Sequence, residues 1–234
     1  MKFHKLLTLT LSAAFIAACG GGGGDAGVPA PTPVVSTDIF QVKTAYINYF
    51  NDTATYPFTI SGMVSGYSVS GSGSLAQSSV TGGTFEGAAA LQKTSTVNWS
   101  LMINGQPSTF TDTQTAYVDS AYVPLGWAGD EYVVVTSAAT IPVTAMVNDK
   151  GIWHTANRYA TSAKTTLLGT EVTSFELAPD TAVTALLKIT QVDKDTLGNI
   201  EMTATATFRM TPAGALTRLS ENAVDATTSL TLTY

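Results

Sequence analysis

Between Ser36 and Tyr234, apolar and polar residues alternate with a period of two over most of the chain, interrupted by short clusters of Gly, Asn, Asp and Pro. That pattern predicts half-buried antiparallel strands joined by turns. The clearest pair runs from Thr94 to Ile103 and from Gln106 to Val118. Val97, Trp99, Leu101 and Ile103 share one face, Thr96, Asn98 and Ser100 the other, and Asn104-Gly105 is a strong signal for a two-residue hairpin turn. Such a turn places Trp99 opposite Phe110. A second alternation sets Met202, Ala204, Ala206, Phe208 and Met210, with Ile200, against Glu201, Thr203, Thr205, Thr207 and Arg209, and turns at Pro212-Ala213-Gly214. The two hairpins superpose at a constant offset, Trp99 on Phe208 and Gly105 on Gly214, which would suit a barrel built by duplication. In a third stretch Tyr67, Val69 and Leu75 alternate with serines, and glycines at 66, 71 and 73 read as sharp bends or close backbone approaches.

One segment breaks this rhythm. From Asp38 to Phe50 the apolar residues Ile39, Val42, Tyr46 and Phe50 recur at helical spacing, and Asp38 with Gln41 three residues later can form a capping box. The reading is a helix packed on the sheet or plugging a barrel end, or a lid over a ligand cavity. The architecture expected is mainly β: a curved antiparallel sheet, closed or half-closed into a barrel, with one N-terminal helix, or alternatively a β-sandwich.

Composition supports this. Charged residues make up 12% of the chain, and the sparse Lys, Glu and Arg leave little material for exposed helices. Residues 36–234 suffice for one β-rich domain with a sizeable core.

The amino end has a different character. Lys2 and Lys5 precede an apolar run from Leu6 to Ala18 that is too short to span a bilayer, which takes ~20 residues. Residues 1–18 read as a signal peptide. Cys19, the only cysteine, follows Ile16-Ala17-Ala18, and Gly20 to Gly24 follow it. This stretch resembles the lipobox of bacterial lipoproteins, and the run of glycines resembles those of Gram-negative bacteria. Gly20 directly after the cysteine, in place of Asp, resembles those sorted to the outer membrane. The resemblance implies lipidation at Cys19 and a tether over residues 19–35, whose Pro29, Pro31 and Pro33 stiffen its second part. Fully extended, the tether reaches on the order of 50 Å. A weaker resemblance, from Val147-Asn148-Asp149-Lys150-Gly151 to Gly169-Thr170, is to uncharacterised proteobacterial lipoproteins, and it carries no activity to transfer.

Charge narrows the partners. The chain has 11 Lys and Arg against 17 Asp and Glu, and loss of Lys2 and Lys5 with the signal makes the mature part more acidic. Such a surface repels phosphate backbones and anionic headgroups, so nucleic acid is not an expected partner and the lipid alone should make the membrane contact.

Candidate chemistry is thin. Once processed, the chain keeps one histidine, His154, and no free thiol, so zinc sites, Cys nucleophiles and disulfides within the monomer fall away. No Gly-x-Ser-x-Gly elbow occurs, and neither a cofactor nor a metal site is expected. Alternating carboxylates around Gly198, from Asp193 to Glu201, suggest a calcium cage but lack EF-hand spacing and read as a polar hairpin loop. The least regular and most aromatic stretch holds Trp127, Tyr132, Trp153, His154 and Tyr159, the candidate ligand-binding residues.

Three functions are therefore weighed. The first is a lipid-anchored, non-enzymatic envelope protein that binds or carries an apolar ligand. The second is a structural or adhesive module with an exposed aromatic patch near Trp127 or Trp153 that binds an envelope protein or glycan. The third is a hydrolase assembled around His154. The last strand bears on location: its terminal Tyr234 resembles the signal of outer-membrane barrels, yet the outward-facing positions are rich in Thr and Ser, so Leu230, Leu232 and Tyr234 are expected to face the core of a water-exposed domain.

Overall fold

The computed structural model describes residues 35–138 and 141–234. The signal peptide, Cys19 and the tether up to residue 34 lie outside the described residues.

Among the described residues the alternating stretches form thirteen strands. They are β1 (Thr55–Val64), β2 (Tyr67–Gln77), β3 (Thr81–Phe85), β4 (Ala88–Ile103), β5 (Gln106–Val118), β6 (Pro124–Ala128) and β7 (Tyr132–Ala138), followed by β8 (Lys150–Tyr159), β9 (Leu167–Pro179), β10 (Ala185–Asp195), β11 (Ile200–Met210), β12 (Leu216–Asp225) and β13 (Thr228–Thr233). Every pairing is antiparallel between sequence neighbours, except that β13 returns to β1 and β2 skips β3 to pair with β4. Twelve strands thus close an up-and-down barrel, the closed form of the two expected, and the sandwich alternative does not occur. The remaining strand, β3, pairs with the first residues of β4. Their hairpin leans across the outer face of β5, β6 and β7, where the Phe85 ring stacks on Tyr117 at 4.6 Å and on Tyr132 at 5.3 Å. Gly126 makes this possible: a Cβ there would sit 2.6 Å from Phe85 Cζ.

The sequence hairpin at Asn104-Gly105 forms in the expected register, with Ile103 opposite Gln106 and Trp99 opposite Phe110. Both turn residues have positive φ, 49° and 73°, as a type I′ turn requires. The second hairpin departs from the first in register: β11 and β12 are joined through Thr211 to Ala215, and a bulge at Thr207/Phe208 puts Phe208 opposite Arg218 rather than Leu219. Gly66 is a turn residue between β1 and β2 rather than a bend inside a strand.

The helix α1 (Val42–Asn51) is shorter than expected. Asp38 makes no cap; Phe40 instead forms an antiparallel bridge with Ala145, and the Asp38 amide donates to Ser36 Oγ. Tertiary pairing of 39–41 thus displaces the first turn. Val42, Ala45, Tyr46 and Phe50 are buried, while Ile39 is exposed. The helix plugs the barrel end that carries the β9–β10 and β11–β12 turns. It is held there by the Gln41 amide on the Pro212 carbonyl at 3.0 Å and by Lys93 Nζ on the Tyr49 carbonyl at 2.9 Å.

The inner face divides in two. Phe58, Ile60, Val69, Leu75, Val97, Trp99, Leu101, Leu230 and Leu232 form one apolar cluster across β13, β1, β2 and β4, so Leu230 and Leu232 face the core as expected. A second cluster joins the plug helix to Trp153, Phe175, Leu177, Leu187 and Phe208.

Candidate functional site

Below the plug helix, polar inward residues of β4, β5, β9 and β10 mix with aromatic and aliphatic ones of β5, β6 and β8 to line a cavity of about 100 Å3 whose wall is mostly apolar. Its roof is Tyr46, Tyr49 and Phe50 of the helix. Of the candidate residues from the aromatic stretch, Trp127, Trp153 and His154 line it.

A bulge sets the site. On β8 the register slips between Ile152 and His154, so Trp153 and His154 are both buried although they are adjacent in sequence. Bulges re-aim side chains in this way and recur beside functional sites. Trp153 meets Tyr46 edge-on at 5.6 Å and stacks on Phe175 at 6.0 Å. His154 reaches the Glu171 carboxylate, Nε2 to Oε1 3.0 Å. The same carboxylate accepts from Thr173 Oγ1 at 3.2 Å and from Trp127 Nε1 at 3.1 Å. Glu171, almost fully buried, is therefore held by three donors from β6, β8 and its own strand. His154 Nδ1 and Trp153 Nε1 are buried with no hydrogen-bond partner among the described residues.

Toward the far end of the barrel a charged floor follows. Arg158, fully buried, forks onto Glu131 with Nε–Oε2 2.8 Å and Nη2–Oε1 2.9 Å, and reaches Glu201 at 2.9 Å and Asp193 at 3.6 Å. Burial, reinforced by Glu171, pushes the Asp193 carboxyl up to about 7, with Arg158 opposing. Burial alone would lower Arg158, but Glu131 and Asp193 hold it charged. Asp193 and Glu201 are thus committed to Arg158, and Asp195 closes the hairpin through the Leu197 and Asn199 amides, which gives the carboxylates of the suspected calcium loop a structural use.

At the helix side Lys93 projects inward from β4. Its Nζ donates to the Tyr49 carbonyl at 2.9 Å and to Gln77 Oε1 at 2.6 Å, and burial pulls its pKa down to about 8. Nearby, Arg218 is enclosed by Tyr49, Tyr56, Phe208 and Tyr234 at 4.9 to 5.4 Å from the ring centroids and pairs with Glu221. Burial pushes Glu221 up to about 7 against that pairing.

Tyr132 and Tyr159 are not brought into the cavity. They pair with each other across β7 and β8 on the outer face, Tyr132 donating to Glu86 Oε1 at 2.8 Å and Tyr159 accepting from Asn157 at 3.3 Å. Alternation explains it: Val133, Ala156 and Arg158 take the inner face, so their neighbours point out. Glu171, Thr173, Gln191 and Lys93 were not singled out from sequence. The signal was available, since Glu171 and Thr173 lie in phase with Phe175 and Leu177, and Lys93 lies in phase with Val97 and Trp99.

Comparison with protein-family models, curated proteins and solved structures finds no match to this chain.

Proposed function

We propose that this chain is a lipid-anchored, non-enzymatic protein of the outer membrane that holds a small ligand inside its barrel. The observation that carries the reading is the β8 bulge, which buries two polar atoms that have no hydrogen-bond partner among the described residues, Trp153 Nε1 and His154 Nδ1, on residues lining a cavity. Unmet buried polar groups are costly, at about 1–3 kcal/mol each, and a ligand that pairs with them recovers that cost. The cavity limits the ligand. A 150 Å3 cavity accommodates the six carbons of benzene, so about 100 Å3 admits roughly four or five heavy atoms. A long acyl chain does not fit, and the apolar ligand expected from sequence narrows to a small molecule with polar ends.

The Thr- and Ser-rich outer positions are the opposite of the apolar outer band of a membrane-spanning barrel, which supports attachment through the lipid on Cys19. The adhesive reading loses its main support, because Trp127 and Trp153 are buried rather than exposed. The test is native mass spectrometry of the full chain carrying Cys19→Ser, released without detergent from cells. A bound small molecule that is absent from Trp153→Phe is the expected result; protein that stays in the membrane after a carbonate wash overturns the anchor. Turnover of an ester or peptide substrate abolished by His154→Ala would replace binding by catalysis.

A further inference from the structure

We propose that the ligand of this chamber is a small carboxylate whose charged end is received by Lys93. The inference rests on the binding reading above and adds its chemical class.

The argument begins with how buried cations are compensated. Arg158 has Glu131, Asp193 and Glu201, and Arg218 has Glu221. Lys93 is 4% exposed, and its partners among the described residues are two neutral oxygens, the Tyr49 carbonyl and Gln77 Oε1, with the Tyr49 ring centroid 5.4 Å from Nζ. Asp52 favours the charge from longer range but is hydrogen-bonded to the Tyr56 hydroxyl and the Ala54 amide, and a buried ammonium with no anion in contact is expensive to hold charged. An ammonium also has three protons, and two acceptors leave one for a ligand.

The remaining wall fixes the polarity of the guest. The acidic residue on the chamber wall, Glu171, already accepts from His154, Thr173 and Trp127, so it does not call for a cationic ligand. Beside the hydroxyl of Ser95 and the amide of Gln114, the wall offers one ammonium proton at Lys93, one indole N–H on Trp153 and the second ring nitrogen of His154. The ammonium proton and the indole N–H want an acceptor on the ligand, and a carboxylate has acceptors to spare. Ala116, Val135 and the Trp153 ring supply apolar wall for a short carbon body.

Lys93 has a competing structural role as a cap on the C-terminal end of the plug helix, where a cation is favoured by the carbonyl dipoles. Capping requires only a donor to the Tyr49 carbonyl and predicts no ligand preference. Lys93→Gln separates the two roles, since the amide keeps a donor for that carbonyl and removes the charge. Lys93→Arg keeps both.

The experiment follows the three tryptophan indole signals of the 15N-labelled full chain carrying Cys19→Ser. Sodium propionate is titrated against propionamide at constant ionic strength. Trp127 and Trp153 report on the chamber, and Trp99, in the apolar half, is the internal control for folding. The proposal expects saturable shifts at Trp127 and Trp153 only, with the acid binding at least about tenfold tighter than the amide. That preference should vanish in Lys93→Gln and persist in Lys93→Arg. Equal binding of acid and amide by the unsubstituted chamber, or a preference that survives Lys93→Gln, overturns the carboxylate assignment while leaving the chamber a binding site. Absence of any saturable shift with either class overturns both. Should Lys93→Gln fail to fold, the comparison of acid with amide in the unsubstituted chamber decides alone.

Discussion

The two halves of the barrel interior obey the same alternation and end in opposite states. Across β13, β1, β2 and β4 the inward side chains are large and apolar, and glycines on the neighbouring strand make room for them: a Cβ on Gly73 would lie 2.5 Å from Phe58 Cζ, and Phe58 in turn meets Trp99 at 5.4 Å. Across β6 to β10 the inward residues include Trp127, His154, Arg158, Glu171, Gln191 and Asp193. An apolar pair can slide until it touches, so the first half closes. A hydrogen-bonded group must hold its partner at a set distance and angle, so the second half keeps a chamber. Closure and vacancy thus come from which residue type occupies the inward phase of each strand.

The largest effect is expected in the closed half. Trp99→Ala removes a side chain that is 5% exposed and wedged against Phe58, and the neighbouring glycines offer nothing to refill the space. Urea unfolding should show a loss toward the upper end of ~3–5 kcal/mol, with the chamber indoles of the native state unshifted. A loss under ~1 kcal/mol would mean that this half is not close-packed.

In the open half, Arg158→Met strands Glu131, Asp193 and Glu201 without their cation. The expected loss is about 3 kcal/mol at pH 8 and less at pH 5, where carboxyls take up protons. An equal loss at both pH values would show that packing of the guanidinium, not charge, is what matters.

Much of this comparison was legible in the chain. The hairpin at Asn104-Gly105, the pairing of Trp99 with Phe110, the inward phase of Leu230 and Leu232, and the barrel itself follow from alternation and turn chemistry, which act over a few residues. The helix start was misplaced because the Phe40 to Ala145 bridge joins segments far apart in sequence. The site was half visible. Trp127, Trp153 and His154 stood out by residue type, whereas Glu171 and Lys93 required phasing each charge against its own strand, and the double inward turn at Trp153 and His154 depends on a bulge that alternation cannot announce. Tyr132 and Tyr159 were chosen for being aromatic, and phase puts them outside.

A smaller, graded effect separates the halves by pH. Burial raises Asp193 from 3.8 and Glu221 from 4.5, each to about 7. Between those limits the folded state binds protons that the unfolded chain has released, so stability falls as pH rises toward 7 and is regained as pH drops toward 4. Each group contributes a slope of at most about 1.4 kcal/mol per pH unit. Urea midpoints from pH 5 to 7.5 should therefore decline, and Asp193→Asn should flatten the decline and stabilise the protein at pH 8. A variant with the unsubstituted slope would place the titration elsewhere.

The smallest effect is expected on the outer face, at a tyrosine that composition alone made a ligand candidate. Tyr132→Phe deletes a hydroxyl that donates to Glu86, a carboxylate also bound by Lys164 on the protruding β3–β4 hairpin side of the barrel. Glu86 is held below the usual carboxylate range by Lys164 first and Tyr132 second, so its charge keeps its stronger partner when the hydroxyl is gone. The ring of residue 132 still stacks on Phe85, and Gly126 still admits Phe85 against the wall. The loss should be about 0.5–1 kcal/mol, the worth of one exposed hydrogen bond. Because Tyr132 and Glu86 are not among the residues that line the chamber, the Trp127 and Trp153 indole signals should keep their positions and their response to propionate. A weakened response in Tyr132→Phe would mean that the hairpin on the outside controls the chamber, and the two faces of this wall would then have to be treated as one site.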